Sequence, residues 1–457
     1  MKDHLLRISV FSYAFLSIVH YFSGVRLIYY LSLIFLVYVV LVAVFSISRT
    51  TLLVFGGVFV IASALMIYSG ASFSQWIEAL GTNNLLIALF ICAPLIQLPF
   101  TYEDYPSELK NIARLHMKNL IPFAFLISIP THIFAALTAF AAFTIMYNLF
   151  LETSKLYDAE DIFLSTLVRS YSTSGFWGLS WASVMLIVSM YPIPWYRFIL
   201  VGIIFTVVSF ALNLTSIKIA MLRRPGRYPT LEPDRNIKVN WWKIMIMSAL
   251  ALSVVLITLV INQASGWKLL AIVPVVSMVF PFVAAAAQRK KTELKNGLRG
   301  FYDKSLYKVR SEVFLFTSAG LLAYALNISG AGARIPGLIP QFLISYPYFM
   351  VMILMLLVIL PGQIGVHPVA SGTTLLVSID PTSIGLTIPI FSITIICAWL
   401  LSNMLSPFSA LNLTISGICG KSSWYTGMKL NWRYGLVCLC VYSAMCLTVG
   451  RLLGGLG

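Results

Sequence analysis

The sequence predicts an all-α polytopic membrane protein of about 10–13 spans, built as two inverted repeats with re-entrant or broken helices. Three observations predict it. Of 457 residues, 59% are hydrophobic and only 10% charged, and mean hydropathy is +0.91, whereas soluble domains carry about a quarter charged residues. Apolar runs of roughly 20 residues recur along the chain, long enough to cross the hydrocarbon core as helices. The alternating segments of about ten residues that mark a β-barrel are absent. Finally, short words recur in the same order in the two halves.

The apolar runs lie near 5–22, 26–46, 51–70, 84–100, 119–147, 162–191, 196–219, 243–262, 267–287, 312–330, 338–360, 363–379, 383–402, 404–418 and 433–454. Several are too short for a crossing or are interrupted by Gly and Pro. The first follows a basic start, as in a signal peptide, but has no small-x-small cleavage site and leads into another apolar run; it reads as retained. The polar stretches between runs are of loop length, so no soluble domain is expected.

A net charge of +16 invites a nucleic-acid partner, but the basic residues cluster in short loops. The positive-inside rule accounts for that placement, and the expected partner is the lipid bilayer of the cytoplasmic membrane. The six cysteines all lie in apolar segments without CxxC spacing or a His cluster, so neither zinc nor a disulfide framework is indicated.

Five landmarks recur at offsets of about 185 to 199 residues. "SELKNIARL" from Ser107 matches "TELKNGLRG" from Thr292. Gly175 and Gly178 match Gly362 and Gly365, and Pro192 matches Pro381. "ALNLT" occurs from Ala211 and from Ala410, and "KVNWW" from Lys238 matches "KLNWR" from Lys429. A further word, "FLIS-x-P" from Phe125 and Phe342, is out of register and reads as coincidence. These matches divide the chain into N-terminal segments 1–83, a first transmembrane repeat 84–262 and a second 267–457. The offset grows by about ten residues just before the second "ALNLT", inside "AWLLSNMLSPFSALNL", which predicts a helix broken within the membrane. Loop 288–311 is strongly basic and its counterpart 101–118 mixed, while 220–243 is strong and 420–433 weak. That swap suggests one half inserted upside down; a parallel repeat stays open.

Inverted repeats with interrupted helices place a substrate site at the repeat interface. The candidates are the small polar residues of the duplicated stretches: Ser174, Ser183, Asn213, Thr215, Ser371, Thr373, Asn403, Ser406, Asn412 and Thr414. Such groups can ligate a small polar solute or a dehydrated sodium ion without burying a full charge; they also glue helices together. Asp380, the only acid in 362–419, and His367 are candidates for ion coupling. Asp380 also reads as a helix cap, and His367 as a packed neutral ring. Arg169 and Lys218 suit an anionic substrate or snorkelling. No GxSxG, HExxH or Walker loop is present, so neither an enzyme nor a nucleotide-driven pump is indicated.

"GQIGVHPVASGTTLL" followed by "SNMLSPFSALNLTISGICG" resembles the second half of ion-transporter superfamily permeases, which include dicarboxylate, citrate, arsenite and sodium/proton carriers. In these families a Ser-Asn or Asn-rich motif commonly sits at a hairpin tip or helix break; Ser402-Asn403 and Ser406-Pro407 match that style, with Asn412 and Thr414 following. The first half shares only "ALNLT". The resemblance implies a secondary active transporter of a small organic anion, coupled to Na+ or H+ by alternating access, without a bound cofactor, and often dimeric. The alternative is an uncoupled envelope protein such as a lipid or glycan-lipid flippase, for which Arg169, Lys218 and Arg334 would line a groove.

Overall fold

A computed structural model describes residues 2–454 apart from 48, 117, 139, 180, 192, 231, 233–235, 332–336, 338 and 339. The described residues form helices and no strand. Nine helical stretches are long and apolar enough to cross a membrane, and three shorter apolar helices accompany them. Two of those three shorter helices, Leu120–Ala136 and Pro347–Gln363, turn back without crossing, as described below.

Helices α1 (Lys2–Ser23), α2 (Arg26–Ser46) and α3 (Arg49–Tyr68) precede the short α4 (Phe73–Gly81) and α5 (Asn84–Ile96). Ser72 and Gln75 close a capping box that starts α4. Then follow α6 (Tyr105–His116), α7 (Leu120–Thr138), α8 (Phe140–Leu156), α9 (Glu160–Thr173), α10 (Ala182–Met190), α11 (Trp195–Arg223) and α12 (Trp241–Ser265). The rest are α13 (Leu269–Gln288), α14 (Lys291–Gly300), α15 (Leu306–Lys308), α16 (Arg310–Ile328), α17 (Gln341–Ile344), α18 (Pro347–Gln363), α19 (Pro368–Ser378), α20 (Ile388–Leu405), α21 (Ala410–Cys419) and α22 (Leu430–Gly454).

Ion pairs define one basic end of the molecule. Lys290 lies 2.6 Å and Lys243 3.8 Å from Glu103, Arg227 lies 3.2 Å from Asp158, and Lys421 lies 3.0 Å from Asp161. Loops 101–118, 220–243, 288–311 and 420–433 therefore share that end. The expectation that strong and weak loops lie on opposite sides is corrected. An even number of crossings separates these loops, and the two helix pairs that turn back before crossing leave that parity unchanged. Helices α5 and α13 consequently run in the same direction. Around α12, exposed Trp241 and Trp242 stand at the basic end and exposed Trp267 just beyond the other, as interfacial anchors do.

The first turning pair is α7–α8, with a one-residue connection. Helix α7 runs alongside α9: the Phe123 and Phe163 rings are 6.3 Å apart, and the His132 ring meets Thr173 Oγ1 at 2.9 Å. Helix α8 returns, bringing Phe150 and Tyr157 back to Phe123. The second pair is α18–α19. Ile344, just ahead of α18, approaches Gly385 near the start of α20, and Ser406 Oγ donates to Gly362 O at 2.6 Å near its end. So α18 parallels α20, and α19 returns with Gly372 against Trp399. Helix α20 runs against α22, since Leu405 packs on Gly435 and Ile390 on Gly450.

One hairpin thus enters from the basic end and is followed by the broken helix α9–α10. The other enters from the opposite end and is followed by the broken helix α20–α21. Both interruptions start at the same kind of place: eight residues separate α9 from α10 and four separate α20 from α21. The recurring words do not mark this correspondence. Gly175 and Gly178 sit in the α9–α10 linker, whereas Gly362 and Gly365 sit at a hairpin tip; Asn213 lies in unbroken α11, Asn412 in α21. The discarded word "FLIS-x-P" falls near the entering limb of each hairpin, in α7 and in α17 just ahead of α18.

Candidate functional site

Each interruption strands backbone groups inside the bundle, and the second half repairs this with one side chain. Asn412, fully buried, donates from Nδ2 to the carbonyls of Asn403 (3.3 Å), Met404 (3.0 Å) and Ser406 (2.9 Å). Those are the acceptors freed where α20 ends. Ser409 caps α21, its Oγ accepting from Asn412 N at 3.2 Å. In the first half Ser174 Oγ donates to Tyr171 O at 2.7 Å and accepts from Trp181 Nε1 at 2.9 Å, which fixes the indole. Helix α10 begins after Trp181 with no side-chain cap.

The two breaks face one cavity of about 80 Å³. Trp181 and Ala182 bring the start of α10 to its wall, and Ala410 and Leu411 the start of α21. Tyr171, Trp399, Phe90 and Phe316 supply aromatic faces, and Asn403, His367 and Glu312 supply polar groups. Among the described residues no Lys or Arg lines it. His367 also borders a second cavity of about 260 Å³ with Ser406 and Ser409. Its Nδ1 accepts from Val369 N at 3.1 Å, capping α19.

The expected residues are distributed as follows. Asn403 and His367 line the cavity; Ser406 lines its neighbour. Ser174 stands behind Trp181. Ser183, in the first turn of α10, and Thr373 are buried, and their hydroxyls have no partner among the described residues. Ser371 is half-buried on α19. Thr414 donates to Ala410 O at 2.7 Å, and Thr215, exposed on α11, to Ala211 O at 2.8 Å. Asn213 faces Arg169 instead of the cavity. Asp380 is exposed beyond the opposite end of α19, accepting from Thr382 N at 3.1 Å and Thr382 Oγ1 at 2.7 Å, as a cap does. Lys218 is exposed on α11. Pro192 and Arg334 lie outside the described residues.

Glu312, directly after the basic loop 288–311, is not among the residues expected from the sequence. It occupies the first turn of α16, accepts from Ser311 Oγ at 2.8 Å, and makes no ion pair among the described residues. The signal available in the sequence was an acid with apolar residues running on from it for a full helix. The aromatic lining left no such signal, because Tyr171, Trp181 and Trp399 look like any other packed rings.

Outside the membrane-spanning part, Asp161 at the basic end is partly desolvated, which raises its pKa. Hydrogen bonds from Tyr425 (2.7 Å) and Lys421 (3.0 Å) outweigh this and hold it below the usual carboxylate range. The ties fasten α9 to the approach to α22.

No family model matches the chain, and no curated protein matches its sequence. Among solved structures it is similar to the crystal structure of the Alcanivorax borkumensis YdaH transporter, described as having an unusual topology. The TM-score is 0.57 at 12% identity, over 89% of this chain and 98% of that one. The chain has the fold of a membrane transporter. At that identity the likeness concerns the fold alone.

Proposed function

We propose that this protein is a secondary active transporter of a small organic anion in the cytoplasmic membrane. It would work by alternating access around the cavity between the two broken helices. One observation carries the anion reading. Among the described residues, helix α10 begins in the cavity wall without a side-chain cap, and the Ser183 hydroxyl in the same turn is buried and has no partner. Free amides and the positive end of a helix favour a carboxylate or similar group. The aromatic walls suit a planar or apolar body on the anion. The units that move would be the hairpins with their broken helices, 120–190 and 347–419, against the remaining helices. The two transmembrane repeats, 84–262 and 267–457, remain our proposal for the larger division of the chain.

A second reading has its own support. With Glu312 and several aromatic faces but no Lys or Arg among the described residues on the wall, the cavity would also hold an organic cation by charge and cation–π attraction. The flippase reading is less favoured, because Arg169 is bonded inside the bundle and Lys218 lies outside the cavity.

Uptake into proteoliposomes separates these readings. Labelled succinate, citrate and benzenesulfonate would be offered in one arm, and labelled benzyltrimethylammonium in the other, each with and without Na+ and pH gradients. Gradient-dependent uptake of an anion is the expected result. Uptake of the ammonium compound alone would replace the anion by the cation reading, and no uptake of either would overturn the transporter.

A further inference from the structure

Glu312 is unlike the other acids of the chain. Those at the basic end are tied to lysines or arginines, as Glu103, Asp158, Asp161 and Asp303 are. Glu78 accepts from Tyr324 Oη at 2.9 Å, and Asp380 caps a turn. Glu312 alone among the described acids lines the cavity between the breaks; Ser311 and its own backbone N–H donate to it, and it makes no ion pair among the described residues.

Its surroundings hold few other charges. The ring of His367, ahead of α19, and the phenol of Tyr171, on α9, share the cavity with it. Arg310, one residue before Ser311, makes no ion pair with Glu312 but acts on it through its charge; its Nε donates to Ser46 Oγ at 2.8 Å, and it stacks on Tyr307 of the α15 segment. Among the other titratable groups on helices packed against α16, Arg49 of α3 and Lys308 of α15 are exposed. Glu78 of α4 lies three turns further along, at Tyr324. Tyr29 of α2 donates to Ile77 O, near α4. On α2, Arg26 and Tyr30 are exposed and Tyr38 is half-buried; Cys92 is buried on α5 and Tyr68 is exposed at the end of α3.

An anion at the uncapped start of α10 would share this small cavity with an ionised carboxylate. Two like charges about 6 Å apart in a partly buried medium oppose each other by about a hundredfold in affinity. Protonation of Glu312 removes the conflict. We propose that Glu312 is the proton-carrying residue of transport: the anion binds only with a proton on this carboxyl, so the two cross together. The inference rests on the transporter reading above and names its coupling ion as H+. The balance is simple. One proton joins Glu312 from the side where substrate binds, one anion enters, and both leave on the other side; for a monovalent anion no net charge moves.

The test uses the full-length protein in proteoliposomes with labelled benzenesulfonate, whose charge is fixed across the working pH range so that it does not cross as a neutral acid. Under a gradient of one pH unit, acid outside, one-to-one coupling supports up to about tenfold accumulation. Wild type is expected to accumulate the label and to exchange it at equal pH. Glu312→Gln, which keeps shape and neutral charge, should exchange label at equal pH, independently of pH, and fail to accumulate it. Glu312→Asp should recover part of the accumulation. Accumulation by Glu312→Gln equal to wild type overturns the role of Glu312, as does accumulation in wild type that follows Na+ and ignores pH. Failure of wild type even to exchange the label overturns the anion-transport reading beneath it. Loss of exchange by Glu312→Gln, with wild-type exchange intact and the variant still monodisperse, also overturns the proposal, since the neutral form should bind.

Discussion

The guanidinium of Arg169 donates from Nη1 to Asn213 Oδ1 at 2.9 Å, joining broken helix α9 to unbroken α11. The same side chain reaches Ser216 Oγ (2.8 Å), Asn431 Oδ1 (2.9 Å) and Leu430 O (3.1 Å), and lies 4.3 Å from the Tyr434 ring centroid. A charge in the bundle is thus held entirely by neutral acceptors, at the junction of α9, α11 and α22. The Asn of the first "ALNLT" serves this junction.

Arg169→Met should therefore destabilise the protein while the cavity stays intact. The stranded carbonyls of Asn213 and Asn431 and the lost charge-assisted bonds together imply a loss of about 1.5–3 kcal/mol or more. Arg169→Lys should recover only part, because an ammonium cannot spread over four acceptors on two helices. Thermal unfolding in detergent checks both; equal melting temperatures for all three proteins would contradict the prediction.

The Asn of the second "ALNLT" has different work. Asn412→Asp puts an acceptor among the three carbonyls that Nδ2 now serves, and should be worse than Asn412→Ala. Loss of the donor in the alanine variant implies about 1–3 kcal/mol. The comparison is made by thermal stability and by uptake, and an aspartate variant more stable than the alanine one would refute it.

Gly178 lies where the first hairpin meets the first break. A Cβ there would sit 2.8 Å from Ser174 O and 3.1 Å from Ala136 Cα, both backbone atoms. Gly178→Ala should push hairpin and linker apart at a cost of about 1–3 kcal/mol and reduce uptake. At Gly362, by contrast, a Cβ meets only side-chain atoms, chiefly the Ser402 hydroxyl, which can rotate. Gly362→Ala should be the milder variant in the same assay.

The Asp161–Lys421–Tyr425 cluster gives a pH dependence. Asp161 is held below its ordinary range in the folded state, so its contribution is present above about pH 3.9 and fades as pH falls through the folded pKa. Lys421 is partly desolvated, which lowers its pKa, yet the hydrogen bond and charge of Asp161 leave it raised overall; its contribution fades as pH rises past about 10.4. Both groups are substantially exposed, so Asp161→Asn should cost under about 1 kcal/mol at neutral pH. The difference from wild type should vanish in strong acid, as read from melting temperature against pH.

Glu312 shows what pattern reading overlooks. It stands two residues into a helix, beside eight basic residues of loop 288–311, and burial on the cavity wall has no local signature. Asp380 shows the converse: an acid in an apolar stretch of sequence is an exposed cap, because α19 ends before it.

The sequence by itself determined the solvent and the element type. A chain this apolar must satisfy its backbone internally, and runs of this length do so as helices. It also placed the break before the second "ALNLT", since Pro407 cannot continue a helix, and that break lies between α20 and α21. Only the tertiary structure decided which helices turn back and which cross. That depends on packing between segments far apart in the chain, such as Gly362 against Ser406 and His132 against Thr173. Equal apolar runs cost the same in lipid whether they cross or return. The direction of each run, and so the residues that meet at the cavity, is fixed by those contacts.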